Sequence, residues 1–159
     1  MRFLVQPAVA PRARAPVRAF LLFAGLALAG FAAQRVLAGG LTPAGVEAFY
    51  LGPDGQEPVA AVALWEELHA GAFVYGFVLF MLGALAAASP VSAGLRRALF
   101  GGALLATLAD LGAPFVVSAA HGAGALRVAT FVLAVGFLAA LLALAAVGTA
   151  RMGGQAHAR

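Results

Sequence analysis

The stretch ALWEELHAGAF at residues 63–73 places two carboxylates and an imidazole at the start of a long apolar run. Glu66 and His69 are three residues apart and share one face of a helix, whereas Glu67 points elsewhere. Glu-x-x-His is also one half of the di-iron carboxylate motif of helix bundles. A full site needs a second such motif, which the sequence lacks. We therefore favour a structural polar cluster over a metal site.

Charged residues far apart in sequence are expected to join this cluster. At 1.5 Å per residue in a core of about 30 Å, His69 lies about 10 Å below one membrane boundary. Asp110 comes 13 residues after Arg97 in a span that runs in the opposite direction. It therefore lies about 20 Å from the other boundary, which is about the same depth as His69. Charged groups within a membrane normally face the bundle interior in pairs. The predicted intramembrane cluster comprises Arg35, Glu66, Glu67, His69, Asp110 and Arg127.

Composition supports a membrane location for these residues. The chain is 64% hydrophobic and only 10% charged, far from the balance of soluble domains. It contains no cysteine, which excludes disulfides, thiolate metal sites and cysteine nucleophiles. The net charge of +4 comes from arginines scattered along the chain. We interpret them as topology signals, and we expect no nucleic-acid partner.

Four apolar runs are long enough to span a bilayer as helices. They cover about residues 19–37, 60–88, 98–117 and 124–150. The predicted fold is therefore all-α, a single transmembrane domain at 19–150 built as a four-helix bundle. The segments 1–18 and 151–159 are its tails, and 39–59 forms a long loop.

The distribution of arginine predicts the orientation. The two tails and the loop between the second and third spans carry arginine, whereas the loop 39–59 carries only acidic charges. Arginine-rich segments remain cytoplasmic. We therefore predict a multi-pass protein of the bacterial inner membrane with both termini in the cytoplasm. A cleaved signal peptide is the alternative for the first span, but Gln34 and Arg35 fit poorly before a cleavage site.

The long loop contains a short helix of its own. Thr42 is a suitable N-cap and Pro43 a suitable first residue, and Val46, Phe49 and Tyr50 then share one face. The glycines of GPDG at 52–55 end the helix in a turn. Such a helix is expected to lie at the periplasmic membrane interface. The alternative is that it covers the helix ends as a lid.

Two histidines are candidates for a cofactor site. Small membrane bundles bind haem b between two imidazoles, and His69 and His121 are the available pair on the periplasmic side. Arg35 or Arg127 would pair with a propionate. His121, however, lies in the glycine-rich SAAHGAGA, which is typical of a solvated turn. The competing interpretation is that His69 forms a hydrogen bond inside the bundle, to Asp110 at matching depth, and that the protein needs no cofactor.

Three segments resemble a group of small bacterial four-span inner-membrane proteins. They are LTPAGVEAFYLG (41–52), LWEELHAGAF (64–73) and ADLGAPFVV (109–117). In that group a TP…Y-x-G element precedes a His-bearing helix, and the third span carries an acidic residue. The group favours H-x-H on its second helix, where this chain has Glu67 and His69. The resemblance implies the four-span architecture and, because such proteins are sometimes encoded near cytochrome genes, a redox context.

Three functional hypotheses follow. The first is a non-catalytic accessory subunit of a membrane redox or respiratory system, in contact with other subunits or with further copies of itself. The second is an electron carrier that binds haem b or quinone through His69. The third is a small transporter or permeation component, which would need oligomers because the cytoplasmic half offers so few polar groups. The sequence shows no nucleophile–base pair and no nucleotide-binding loop, so we do not expect an enzyme.

Overall fold

A computed structural model describes residues 14–53, 57–87, 89 and 91–154, and within these ranges the chain forms five helices and no strand. The helices are α1 (Arg14–Gly39), α2 (Pro43–Leu51), α3 (Ala61–Ala87), α4 (Ala93–Ala119) and α5 (Gly124–Gly154). The predicted all-α class and the short extra helix are confirmed. Most of the predicted N-terminal tail, the tip of the long loop and the end of the C-terminal tail lie outside the described residues.

Four of the helices are long and apolar enough to cross a membrane. They cover 15–39, 61–87, 93–119 and 124–149, close to the predicted spans. Two of them extend further than hydropathy indicated, since α1 includes Arg18 and α4 includes Arg96 and Arg97. Such arginines continue a helix well and hold their guanidinium groups at the headgroup level.

α5 is the central helix of the bundle. Its inward face is fully buried at Ala134, Leu138, Leu141 and Ala145. Small residues let α4 approach it closely, because a Cβ at Gly102 would lie only 2.4 Å from the ring of Phe137. α1 is peripheral, with 6% of its span buried against 44% for α4.

α2 packs on one end of the bundle, mainly against α5 and α4. The Thr42 hydroxyl accepts a hydrogen bond from the Gly45 amide at 3.1 Å, and the helix ends before Gly52, whose φ is 77°. Val46 and Tyr50 are buried and pack with Leu64 of α3 and Val117 of α4 in a small apolar cluster. Tertiary contacts therefore fix α2. We call this the α2 side, and the opposite side, where α4 begins, the Arg96 side.

The predicted orientation can be tested with single cysteines, because the chain has none of its own. Ala48 in α2 and Ala93 at the start of α4 are both exposed and lie on opposite sides. We expect a membrane-impermeant maleimide applied to intact spheroplasts to label Ala48→Cys, and to label Ala93→Cys only after the membrane is opened. Labelling of both variants from outside would contradict the four-span arrangement.

Candidate functional site

Four ionisable side chains meet inside the bundle towards the α2 side. Arg35 forms a salt bridge with Glu67, and Arg127 forms one with Asp110. Arg127 Nη2 also lies 3.6 Å from Glu67 Oε1, which joins the two pairs into one chain. Two arginines thus face two carboxylates, and the network has no net formal charge.

Both tyrosines of the sequence belong to this network. The Tyr50 hydroxyl donates to Glu67 Oε1 at 2.9 Å and accepts from Arg35 Nη1 at 3.3 Å. The Tyr75 hydroxyl donates to Asp110 Oδ2 at 2.7 Å. Sequence reasoning treated Tyr50 as part of an apolar face and did not include Tyr75 in the polar cluster. The sequence did contain a signal that could have assigned both tyrosines to the network. A buried tyrosine hydroxyl needs a hydrogen-bond partner, and these carboxylates are the acceptors at that depth.

The network draws on every helix of the fold. Arg35 comes from α1, Tyr50 from α2, Asp110 from α4 and Arg127 from α5, and α3 contributes Glu67 and Tyr75. We call these six residues the charge network. Asp110 and Arg127 are its innermost members, with exposed fractions of 1% and 4%. Arg35 and Arg127 also lie over the rings of Phe31 and Phe131, at 5.0 and 6.0 Å from the centroids.

Helical register explains which residues of α4 and α5 enter the network. On α4 the buried face includes Ala103, Ala106, Thr107 and Asp110, so mostly small residues precede the carboxylate. On α5 Arg127 is followed at helical spacing by the buried Phe131, Ala134 and Leu138. Both charged residues therefore lie on the inward face of their helix, Arg127 about one turn and Asp110 about two and a half turns below the α2 end.

The prediction for α3 was wrong about which carboxylate faces inward. Glu66 and His69 are exposed, whereas Glu67 is partly buried in the network. The buried stripe of α3 runs through Leu64, Gly71, Tyr75, Val78 and Leu82, and Glu67 is on its margin. Glu66 and His69 point to the opposite side because each residue turns the helix by about 100°.

The predicted hydrogen bond from His69 to Asp110 is therefore not formed. The two oxygens of Asp110 bind Arg127 and Tyr75, and the His69 ring lies on the bundle surface. His121 is also exposed, in the turn between α4 and α5, where Gly122 has φ 84°. The two imidazoles considered as haem ligands are thus both on the surface. Within the described ranges, no three His, Asp or Glu side chains are grouped closely enough to hold a metal ion.

A small cavity lies beside the charge network under α2. Its walls include Arg35, Val46, Tyr50, Arg127 and Phe131, and its volume is about 30 Å³. A water molecule needs roughly 10–15 Å³ measured in this way, so the space suits about two waters. Ligand pockets usually measure about 300–1,000 Å³. This cavity is the size of a hydration site for the two arginines and is far smaller than a haem or a quinone.

Below the network the core becomes apolar. Tyr75, Leu79, Leu82, Leu138 and Leu141 pack together in one cluster. Thr107, a buried polar residue at this level, donates to Ala103 O of its own helix at 2.8 Å. Among the described buried residues, no charged side chain thus lies deeper than Asp110. The arrangement can hold five helices together, and it forms no polar path towards the Arg96 side.

Residues 40–155 match the family model Aq_1264_TM, which describes a transmembrane helical domain. The match covers more than two thirds of the chain, so the protein belongs to this family. Five of the six members of the charge network lie inside the matched region, and Arg35 precedes it. No curated protein and no solved structure matches the chain.

Proposed function

We propose that this member of the Aq_1264_TM family is a non-catalytic accessory subunit of a membrane redox assembly. It contacts its partner through an edge of α3 formed by Glu66, His69, Ala70 and Phe73, which we call the α3 edge. The single observation that supports this role is that His69 is exposed on a membrane-spanning helix and faces away from its own bundle.

The depth of His69 makes its exposure informative. α3 has 27 residues and is about 40 Å long, roughly 10 Å more than the hydrocarbon core. With the helix centred in the core, Glu66 lies near the boundary and His69 about 7 Å inside it. The exposed Trp65 beside them is typical of the boundary. A polar ring facing lipid at this depth is costly, whereas a partner helix would supply a hydrogen bond.

The remainder of the α3 edge suits the approach of another helix. Ala70 is small and exposed, which permits close backbone contact. Phe73 is 74% exposed and offers a large apolar surface directly below the polar pair. A partner helix that carries a basic residue opposite Glu66 and a hydrogen-bond acceptor opposite His69 would complement this edge.

A non-catalytic role is supported by the state of the interior polar groups. Every carboxylate and guanidinium of the charge network has a partner within the network, and the adjoining cavity has the size of about two waters. The redox context rests on the resemblance of the TP…Y-x-G element, the His-bearing helix and the acidic third span to proteins sometimes encoded near cytochrome genes.

Site-specific photo-crosslinking in native membranes tests this proposal. We expect a photoreactive phenylalanine analogue at Ala70 to form one discrete adduct with a larger membrane protein. The same probe at Leu105, which is 70% exposed on α4, should form none. His69→Leu should strongly reduce the adduct at Ala70 without lowering the amount of inserted protein, and Glu57→Leu in the exposed loop should leave it unchanged. A reduced-minus-oxidised spectrum of the purified adduct should contain a cytochrome band.

Three results would contradict the proposal. Equal adducts from Ala70 and Leu105 would mean that α3 has no preferred partner. An adduct of twice the 15.9 kDa chain mass would indicate a second copy of the protein as the occupant. A Soret band in the isolated protein, lost in His69→Gln, would favour the haem-carrier hypothesis.

A further inference from the structure

A groove of about 520 Å³ opens between α3 and α4 on the Arg96 side, far from the charge network. Phe80, Gly83 and Ala84 of α3 line one wall, and Phe100 of α4 lines the other. Arg96 and Arg97 line its end. The groove thus combines an apolar channel at hydrocarbon depth with two guanidinium groups at headgroup depth.

The two arginines differ in how they are held. Arg96 Nη1 donates to Ala87 O at 3.2 Å and to Ser89 O at 3.1 Å, so this side chain is fixed across the connection that follows α3. A guanidinium has five N–H donors, and these bonds leave donors of Arg96 free to bind an anion. Arg97 is exposed at the start of α4, where the positive end of the helix dipole also favours an anion.

The shape of the groove depends on Gly83. A Cβ at this position would lie 2.6 Å from the ring of Phe100, so the glycine lets that ring lie directly against α3. Phe80 is 71% exposed and lies about one turn above Gly83. Both rings line the open slot of the groove, and in a bilayer this apolar slot is filled by an acyl chain.

We propose that this groove binds one anionic glycerophospholipid. Its phosphate lies against Arg96 and Arg97, and one acyl chain lies between Phe80 and Phe100. Charge complementarity selects the headgroup, because bidentate arginine–phosphate pairs are strong and a zwitterionic lipid brings a cation towards the same arginines.

Native mass spectrometry of the protein in mixed micelles tests this site with dioleoyl phosphatidylglycerol and dioleoyl phosphatidylcholine as probes. We expect one phosphatidylglycerol molecule to remain bound to the protein under conditions that remove phosphatidylcholine. Arg97→Gln should weaken its retention about fivefold, the usual value of one basic residue at an anionic headgroup. Arg18→Gln removes the same charge from an exposed position near the Arg96 side of α1 and should have no effect.

A second variant tests the apolar part of the site. Ala84 is exposed at the groove wall, so Ala84→Trp should fill the slot and remove bound lipid while leaving thermal stability unchanged. Equal retention of the two lipids, equal effects of Arg97→Gln and Arg18→Gln, or full retention by Ala84→Trp would each overturn the proposal. Displacement of the lipid by millimolar inorganic phosphate would also overturn it, since the site would then bind a free anion.

Discussion

Asp110→Leu should lower the free energy of unfolding by about 3–5 kcal/mol, the cost of stranding one partner of a buried ion pair. Asp110 is 1% exposed, and its two oxygens bind Arg127 and Tyr75. Leucine has a branched side chain like that of aspartate, although a larger one, and it accepts no hydrogen bond. The variant would leave the buried Arg127 with only the more distant Glu67, and would leave the Tyr75 hydroxyl without an acceptor. The effect is measured as the shift in thermal unfolding of the purified protein in detergent.

Two further variants separate the buried pair from the loss of a carboxylate in general. Glu57→Leu removes an exposed carboxylate from the long loop and should barely change the melting temperature, because exposed charges contribute little. Asp110→Leu combined with Arg127→Met removes both charges and should recover most of the lost stability, since apolar replacement of a whole buried pair is often neutral. Equal shifts for Asp110→Leu and Glu57→Leu would mean that water reaches Asp110.

The charge network explains how a small bundle can present a fixed outer edge. Glu67 and Tyr75 hold α3 to the other four helices from its inward face. Glu66 and His69, on the opposite face of the same turns, are therefore held in a fixed orientation towards the membrane. The polar residues of this helix thus divide by face: those on the inward face position the helix, and those on the outward face are the ones that we propose contact a partner.

The depth of the charged residues in the membrane could be predicted from the sequence. The side of the helix on which each one lies could be predicted only in some cases. Counting residues from the span ends placed His69 and Asp110 at similar depth, with Arg35 and Arg127 at the same end of the bundle. The structure brings Arg35, Asp110 and Arg127 together with Glu67 and leaves His69 outside. Direction on α4 was predictable because the small residues before Asp110 mark a packing face. α3 is apolar on all sides, so hydropathy does not distinguish its inward face, and the adjacent Glu66 and Glu67 were assigned the wrong way round.

The role of α2 depended on contacts that no local pattern specifies. Thr42 and Pro43 were sufficient to predict where the helix begins, because capping is a local property. Whether it lies on the membrane surface or on the bundle depends on residues distant in sequence. Glu47 Oε1 accepts a hydrogen bond from the Gly124 amide at 2.9 Å, across 77 residues of chain. This contact and the buried Tyr50 anchor α2 to the bundle.

Gly124→Ala should displace α2 from the bundle. A Cβ at Gly124 would lie 2.2 Å from Pro43 O and 2.8 Å from Pro43 C, both backbone atoms that cannot rotate away. The start of α2 must therefore move, which also stretches the hydrogen bond from Gly124 to Glu47. Overpacking of this kind costs about 1–3 kcal/mol. We expect a lower melting temperature and faster thiol labelling of a Val46→Cys reporter, because Val46 is 5% exposed only while α2 is in place.

Gly136→Ala is the matched control, since it makes the same substitution in the same helix. A Cβ there would meet no atom within 4 Å, so there is nothing to displace. Alanine also favours a helix interior over glycine by about 0.8–1 kcal/mol. Its melting temperature should therefore be unchanged or higher, and the Val46→Cys reporter should react at the parental rate. If the Val46→Cys reporter reacted at the parental rate in both glycine variants, α2 would have room to accept a methyl group at Gly124. The close contact between Pro43 and α5 would then not be what holds α2 on the bundle.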